Sequence, residues 1–212
     1  FIFYIFVNLV INKMSSKHNK KRRLWQPGNG VEAKKAEKHF FKVFKNYFEG
    51  TNYIVRELPN DLNKIYIDVQ LSESVLSEIY TPDVEINLHG IRPDFAISNL
   101  ETGKIIYGDC KRQDGWVEGK TQRDGRGNAH ERLCKYFTLG IQKKLYEKGN
   151  ISKDHLPFWI VLQGDITRDP KRVREITCWF DGNDDNYFFW RESPNPEKLI
   201  AHFESSIRHM LE

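Results

Sequence analysis

One hairpin constrains this chain more than any other feature, because it carries two aspartates to the same edge of a sheet. Phe95-Ala96-Ile97-Ser98 alternates as a strand, Leu100-Glu101-Thr102-Gly103 has turn chemistry, and Lys104 to Lys111 reads as a second strand. Asp94 opens the first strand, with fourteen residues between it and Asp109. Side chains alternate faces along a strand, so Asp109 and Lys111 share one face and Cys110 takes the other. A turn near Thr102 brings Asp94 back beside them. Two carboxylates on one face suit Mg²⁺, which takes oxygen ligands and keeps several waters. A bound metal of this kind lowers the pKa of a water and steadies charge on a phosphate. A neighbouring lysine can orient or deprotonate that water, or stabilise the developing charge. On spacing alone, an Asp-x-Lys pair is more often solvated decoration of an exposed strand. Pro82-Asp83 shows how readily a Pro-Asp pair arises, although no acid-x-Lys follows it at a hairpin's distance.

The flanking sequence supplies the rest of an α/β domain. Ala36, Phe40, Phe44 and Tyr47 recur at helical spacing within Val31 to Phe48, and Gly50 is a plausible stop. Glu37 lies beside that stripe, either as a rim residue or as a support for a site behind it. Ile65–Val69 and Val84–Leu88 read as short strands or core segments, with a short helix over Ser72–Tyr80 between them. Ala129 to Glu147 reads as a helix with Leu133, Phe137, Ile141 and Leu145 on one side, and Gly140 weakens it. Leu156 to Leu162 is a buried strand, Ile166 to Arg174 a basic loop, and Glu175 to Phe180 and Tyr187 to Trp190 two more strands. An amphipathic helix from Glu197 to Leu211 closes the chain. The expected architecture is a mixed β-sheet flanked by helices.

Composition narrows the partners. The net charge of +4 permits nucleic acid without arguing for it, so clustering decides. Residues 14–23 hold five basic side chains and no acid, which fits a solvated tail or an arm on phosphates. The first twelve residues are apolar but too few to span a bilayer, which takes ~20. No membrane association is expected, and translation is expected to start at Met14. The chain divides into a tail over residues 1–23, disordered or in part untranslated, and a single domain over residues 24–212. Three cysteines, with no CxxC pair or Cys/His cluster, argue against a disulfide framework and structural zinc and for a reducing cytoplasm.

Beyond the hairpin, Lys111 to Lys120 is charged and punctuated by glycine, and Gly125-Arg126-Gly127-Asn128-Ala129-His130-Glu131-Arg132 follows. Small residues at a helix start let backbone approach a ligand, and the first side chains of such a helix can reach base edges. Arginine suits guanine and asparagine suits adenine, both by paired hydrogen bonds. Local grounds alone slightly favour an ordinary capped helix with surface charges.

The runs GDCKRQDGWVEGK, GRGNAHER and GDITRDPKRVREI resemble the MunI-like type II restriction endonucleases, from about Ala36 to the C-terminus. The shorter pattern of Gly127, Asn128, Ala129, Glu131 and Arg132 is also similar to EcoRI, within the PD-(D/E)xK nuclease superfamily. The resemblance implies a restriction-endonuclease-like core and a homodimer that cuts palindromic double-stranded DNA with Mg²⁺. It implies the site CAATTG, cut after the first C to leave 5' AATT overhangs, with a cognate methyltransferase in the same system. Asp94 and Asp109 carry over as metal ligands, Lys111 as the catalytic lysine and Glu37 as a supporting residue. Arg126 is expected on the outer C·G pair. Gly127, Asn128, Ala129, Glu131 and Arg132 are expected along the inner tetranucleotide, and His130 among the other DNA-binding residues. Arg168, Lys171 and Arg172 in the basic loop are expected on phosphates.

The family's second acid is usually glutamate, whereas this chain has Asp109. The side chain is shorter by one methylene, and a displacement of ~1 Å matters for catalysis. Because the superfamily accepts aspartate, an active enzyme is expected, with Asp109→Glu tolerated. A DNA-binding protein that has lost cleavage is the alternative.

Overall fold

The computed structural model describes residues 34–114 and 131–212. The expected tail over residues 1–23 and its boundary lie outside them. A helix over residues 34–47 (α1) buries Ala36, Phe40 and Phe44 of the stripe that the spacing predicts, together with Phe41 and Val43, and leaves Tyr47 half-buried. Gly50 follows it at φ +75°, where a side chain would be strained.

Five strands form one sheet in chain order: β1 (Tyr53–Glu57), β2 (Phe95–Asn99), β3 (Ile105–Arg112), β4 (Phe158–Gln163) and β5 (Tyr187–Trp190). The first three are antiparallel and the last three parallel, so β3 is where the direction changes. Register pairs Phe95 with Gly108 across the hairpin, and Asp109 with Ile160 and Lys111 with Leu162 across the parallel pair.

Alternation along the strands sorts side chains into two cores. On one face Phe95, Ile97, Ile106, Cys110, Trp159 and Val161 pack with Phe40 and Phe44 of α1 and with Phe203. On the other, Ala96, Tyr107, Phe158, Ile160 and Leu162 pack with Leu133, Leu145, Ile176 and Phe180. Cys110 thus enters the first core, and Asp109 and Lys111 of β3 face the second. The chain closes with helices α5 (Glu197–His202) and α6 (Arg208–Leu211), joined through a π turn over Phe203–Ile207. Among the described residues, no helix is long and apolar enough to cross a membrane.

Three expectations change. Neither Ile65–Val69 nor Val84–Leu88 is a strand. The first is held in turns, with the Ile67 N–H bonded to the Lys64 carbonyl and the Val69 N–H to Tyr66. Val84, Ile86 and Leu88 are exposed. Ile65 is nonetheless buried in the second core, as a core segment would be, and Ser72–Tyr80 gives α2 (Glu73–Glu78) with Ser72 as its cap.

The helix expected over Ala129 to Glu147 is broken. Glu131–Phe137 is a 3₁₀ helix, Thr138 is extended, and α3 runs over Leu139–Gly149. A 3₁₀ turn repeats every three residues, so Leu133 and Tyr136 are the pair it buries. Gly140 lies within α3, not at the break.

The basic loop and the strand after it are one element, α4 (Pro170–Phe180), preceded by a 3₁₀ turn over Asp165–Arg168. Asp169 caps α4 by accepting from the backbone N–H groups of Lys171 and Arg172, and Pro170 fits its first turn. Ile176 and Phe180 are buried at a spacing of four. A short apolar run does not by itself separate strand from helix; the Asp-Pro start signal does.

Gly108, next to Asp109, anchors the β2–β3–β4 contact. A β-carbon there would lie 2.0 Å from the Trp159 carbonyl oxygen and 2.4 Å from the Phe95 ring. Gly108→Ala should cost about 3 kcal/mol or more and lower the melting temperature by roughly 6–12 °C. An unchanged melting curve would show that β3 and β4 can separate without loss.

Candidate active site

The hairpin brings Asp94, Asp109 and Lys111 together. The Lys111 ammonium lies 2.6 Å from Asp94 Oδ2 and 3.1 Å from Asp109 Oδ2. The backbone locks the acids to one another. Asp94 Oδ2 accepts from the Cys110 N–H at 3.0 Å, and Asp109 Oδ1 accepts from the Asp94 N–H at 3.0 Å. Asp109 is only 1% exposed.

Electrostatics follow from one cation set between the buried Asp109 and the half-buried Asp94. Burial, then the charge of Asp109, pushes the Asp94 carboxyl above the usual carboxylate range, and Lys111 only partly offsets this. For Lys111, burial works against the charged form. The two carboxylates outweigh it and hold the ammonium above the ordinary lysine range. Both partners shift upward because a single lysine cannot neutralise both acids. Glu37 of α1 borders the same cluster. Its carboxyl is raised by burial first and by the charge of Asp94 second.

Spacing alone gave no sign of two further residues. Tyr136 of the 3₁₀ helix, fully buried, donates its hydroxyl to Asp109 Oδ1 at 2.7 Å. Lys135 beside it places its ammonium 3.9 Å from Asp109 Oδ2. The break between the 3₁₀ helix and α3 turns this pair toward the acids. A continuous helical period would have selected Phe137.

The residues expected to read DNA are divided. Arg126, Gly127, Asn128, Ala129 and His130 lie outside the described residues. Glu131 and Arg132 are exposed at the start of the 3₁₀ helix. Arg168 and Lys171 are exposed around the start of α4, whereas the half-buried Arg172 pairs with Glu175. In sequence, the segment outside the described residues lies between Asp114, two residues past β3, and Glu131, where the 3₁₀ helix starts. The Gln113 N–H bonds to the Gln163 carbonyl, and the Ile166 N–H to the Gln113 carbonyl, tying the chain just past β3 to the turn before α4.

The donor set fits magnesium. Among the described residues, no group of three or more His, Cys, Asp or Glu side chains could hold a metal. Magnesium needs only one or two carboxylates, with water and phosphate oxygens completing its shell. Asp94 and Asp109 meet that need, and the excess negative charge around Lys111 favours a cation.

A model of the family described as type II restriction enzyme MunI matches residues 14–212. The chain belongs to the MunI type II restriction endonuclease family. A MunI enzyme from a Mycoplasma species is 50% identical over 191 residues, covering 89% of this chain and 95% of that protein. A crystal structure of MunI restriction endonuclease in complex with cognate DNA matches with a TM-score of 0.76 and 49% identity. The match covers 89% of this chain and 97% of that one. Membership accounts for the five-stranded mixed sheet flanked by helices, and MunI-family enzymes generally use a divalent metal.

Lys111→Met should lower the melting temperature in EDTA at pH 8, relative to the parent protein, by removing the cation between two acids. The deficit should shrink as the pH falls. A carboxyl whose folded pKa is raised takes up its proton more readily in the folded state, so folding gains stability as the pH drops through that value. A deficit that stays constant with pH would show that Lys111 is not the counter-charge.

Proposed function

We propose that this chain is a homodimeric, Mg²⁺-dependent endonuclease that cuts double-stranded DNA at CAATTG after the first C, leaving 5' AATT overhangs. The observation that carries the reading is the contact of Lys111 with both Asp94 and Asp109 at the end of the hairpin. In sequence, GRGNAHER follows that hairpin and runs into the 3₁₀ helix whose Tyr136 bonds Asp109. The relatives are named as MunI, and one was crystallised on its cognate DNA.

Asp94 and Asp109 would hold the ion, which when bound supplies the charge that acidifies a water and steadies the phosphate. Lys111 keeps its proton in this arrangement, which suits it to orienting the attacking water and stabilising phosphoryl charge. Glu37 borders the site and supports it without contacting the acids directly. Arg126 reads the outer C·G pair, and Asn128, Ala129 and Arg132 read the inner AATT, with Gly127, His130 and Glu131 shaping that segment. Arg168 and Lys171 contact phosphates. A two-fold dimer presents the same segment to each half of a palindrome. Such an enzyme needs a methyltransferase of the same specificity to protect its host's DNA. Its free cysteines Cys110, Cys134 and Cys178 suit a cytoplasmic setting.

A digest of a defined plasmid in Mg²⁺, with sequencing of the ends, tests the reading. Cuts at CAATTG are expected, and Asp94→Ala should abolish them without unfolding the protein. The second reading, DNA binding without cleavage, is favoured by the short Asp109. It would give bound but intact plasmid.

Base reading is tested by binding in Ca²⁺. Arg126→Ala should relax preference between CAATTG and GAATTC, by the ~1–3 kcal/mol of one arginine–guanine pair. Equal loss on both sites and on an unrelated duplex would assign Arg126 to a phosphate. Lys171→Ala should weaken binding to all sequences alike and reduce the salt slope by about one. An unchanged slope would leave Lys171 on the solvated surface.

A further inference from the structure

Asp109 is held from two sides at a single oxygen. Its Oδ1 accepts from the Asp94 N–H at 3.0 Å and from the Tyr136 hydroxyl at 2.7 Å. Both distances lie within the hydrogen-bond range, and the second is typical of a hydroxyl donor. Oδ2 is left to Lys111 and, more distantly, Lys135. Tyr136 has little room to retreat. It is fully buried, its ring centroid lies 5.2 Å from that of Phe158, and it packs in the core that holds Leu133. Its hydroxyl is the polar end of an otherwise apolar plug, and Asp109 is the partner that satisfies it.

We propose that Tyr136 is a positioning residue whose hydroxyl is matched to the length of Asp109, fixing which carboxylate oxygen is turned toward the metal. This inference rests on the reading of Asp109 as a metal ligand and deepens it. A carboxylate longer by one methylene, starting from the same backbone position on β3, would be driven against the hydroxyl. Shortening the aromatic to phenylalanine frees that space and releases Oδ1 from one of its two donors. Asp109→Glu alone should therefore be impaired, contrary to the tolerance expected from the motif, and Tyr136→Phe should rescue it. Partners that orient a metal ligand are typically worth ~10–100-fold in metal affinity or activity.

The test compares the parent chain, Tyr136→Phe, Asp109→Glu and the double variant in two measurements. The first is the rise in melting temperature as Mg²⁺ or Ca²⁺ is added to metal-free protein. The second is the Mg²⁺ dependence of plasmid cleavage. Tyr136→Phe should raise the half-saturating Mg²⁺ concentration ~10-fold and lower kcat, leaving the KM for DNA unchanged. Asp109→Glu should lose ~100-fold, and the double variant should regain at least tenfold over it. Non-additivity of that sign is the signature of a matched pair. Additive losses in the double variant, or a fully active Asp109→Glu protein, would overturn the proposal. If the parent chain responds to metal but cuts no DNA, the endonuclease reading fails while the melting shifts still decide Tyr136. A parent chain with no metal response overturns both.

Discussion

Two carboxylates held close together on a covered face of a sheet, with one lysine between them, are the constraint from which the site is built. Like charges in a low-dielectric setting repel, and burial penalises each of them further. Asp94 shows both effects in its raised pKa, and Lys111 shows the compensating pull. The backbone does the rest. The N–H groups of Asp94 and Cys110 each donate to the opposite acid, so the hairpin that places the carboxylates also stabilises their charge. The negative charge that remains would favour a cation beside the two carboxylates.

The sheet makes this placement possible by changing direction at β3. Its antiparallel neighbour β2 brings Asp94 to the end of the strand that carries Asp109, and its parallel neighbour β4 continues the covered face. Ligands bind in open sheets at the carboxyl ends of parallel strands, and β3 ends at Arg112, just ahead in sequence of the residues expected to read DNA. Gly108 permits the arrangement, since β4 and Phe95 come too close to β3 there for any side chain. Catalysis and recognition are thus expected from one continuous stretch of chain, from β3 through the 3₁₀ helix that ends beside Asp109.

Much of this was legible in the residues. The hairpin, the aromatic stripe of α1 and the C-terminal helix follow from periods of two or 3.6, and the buried β4 from an unbroken apolar run. Where the pattern misled, the cause was local. Ile65–Val69 and Val84–Leu88 are apolar without a sheet edge to receive them, so their backbone groups find turns and solvent. Residues 170–180 looked like a loop and a strand because charged residues fill the first half of α4, and the Asp169-Pro170 start was the better signal. The run expected as one helix from Ala129 is divided at Thr138, because a 3₁₀ repeat buries Leu133 and Tyr136 together.

The sequence by itself determined which groups could do chemistry and that three of them would meet. Alternation puts Asp109 and Lys111 on one side of a strand, and a hairpin of fourteen intervening residues returns Asp94 to them. These are short-range consequences of backbone geometry, so reading the chain is enough. Only the tertiary structure decided what surrounds that trio. Tyr136 on Asp109, Glu37 at the rim and the close approach of β4 to Gly108 join residues distant in the chain, through packing that no local period encodes. Contacts of that kind depend on how two cores close on either side of the sheet, and that is settled only when all the elements are in place.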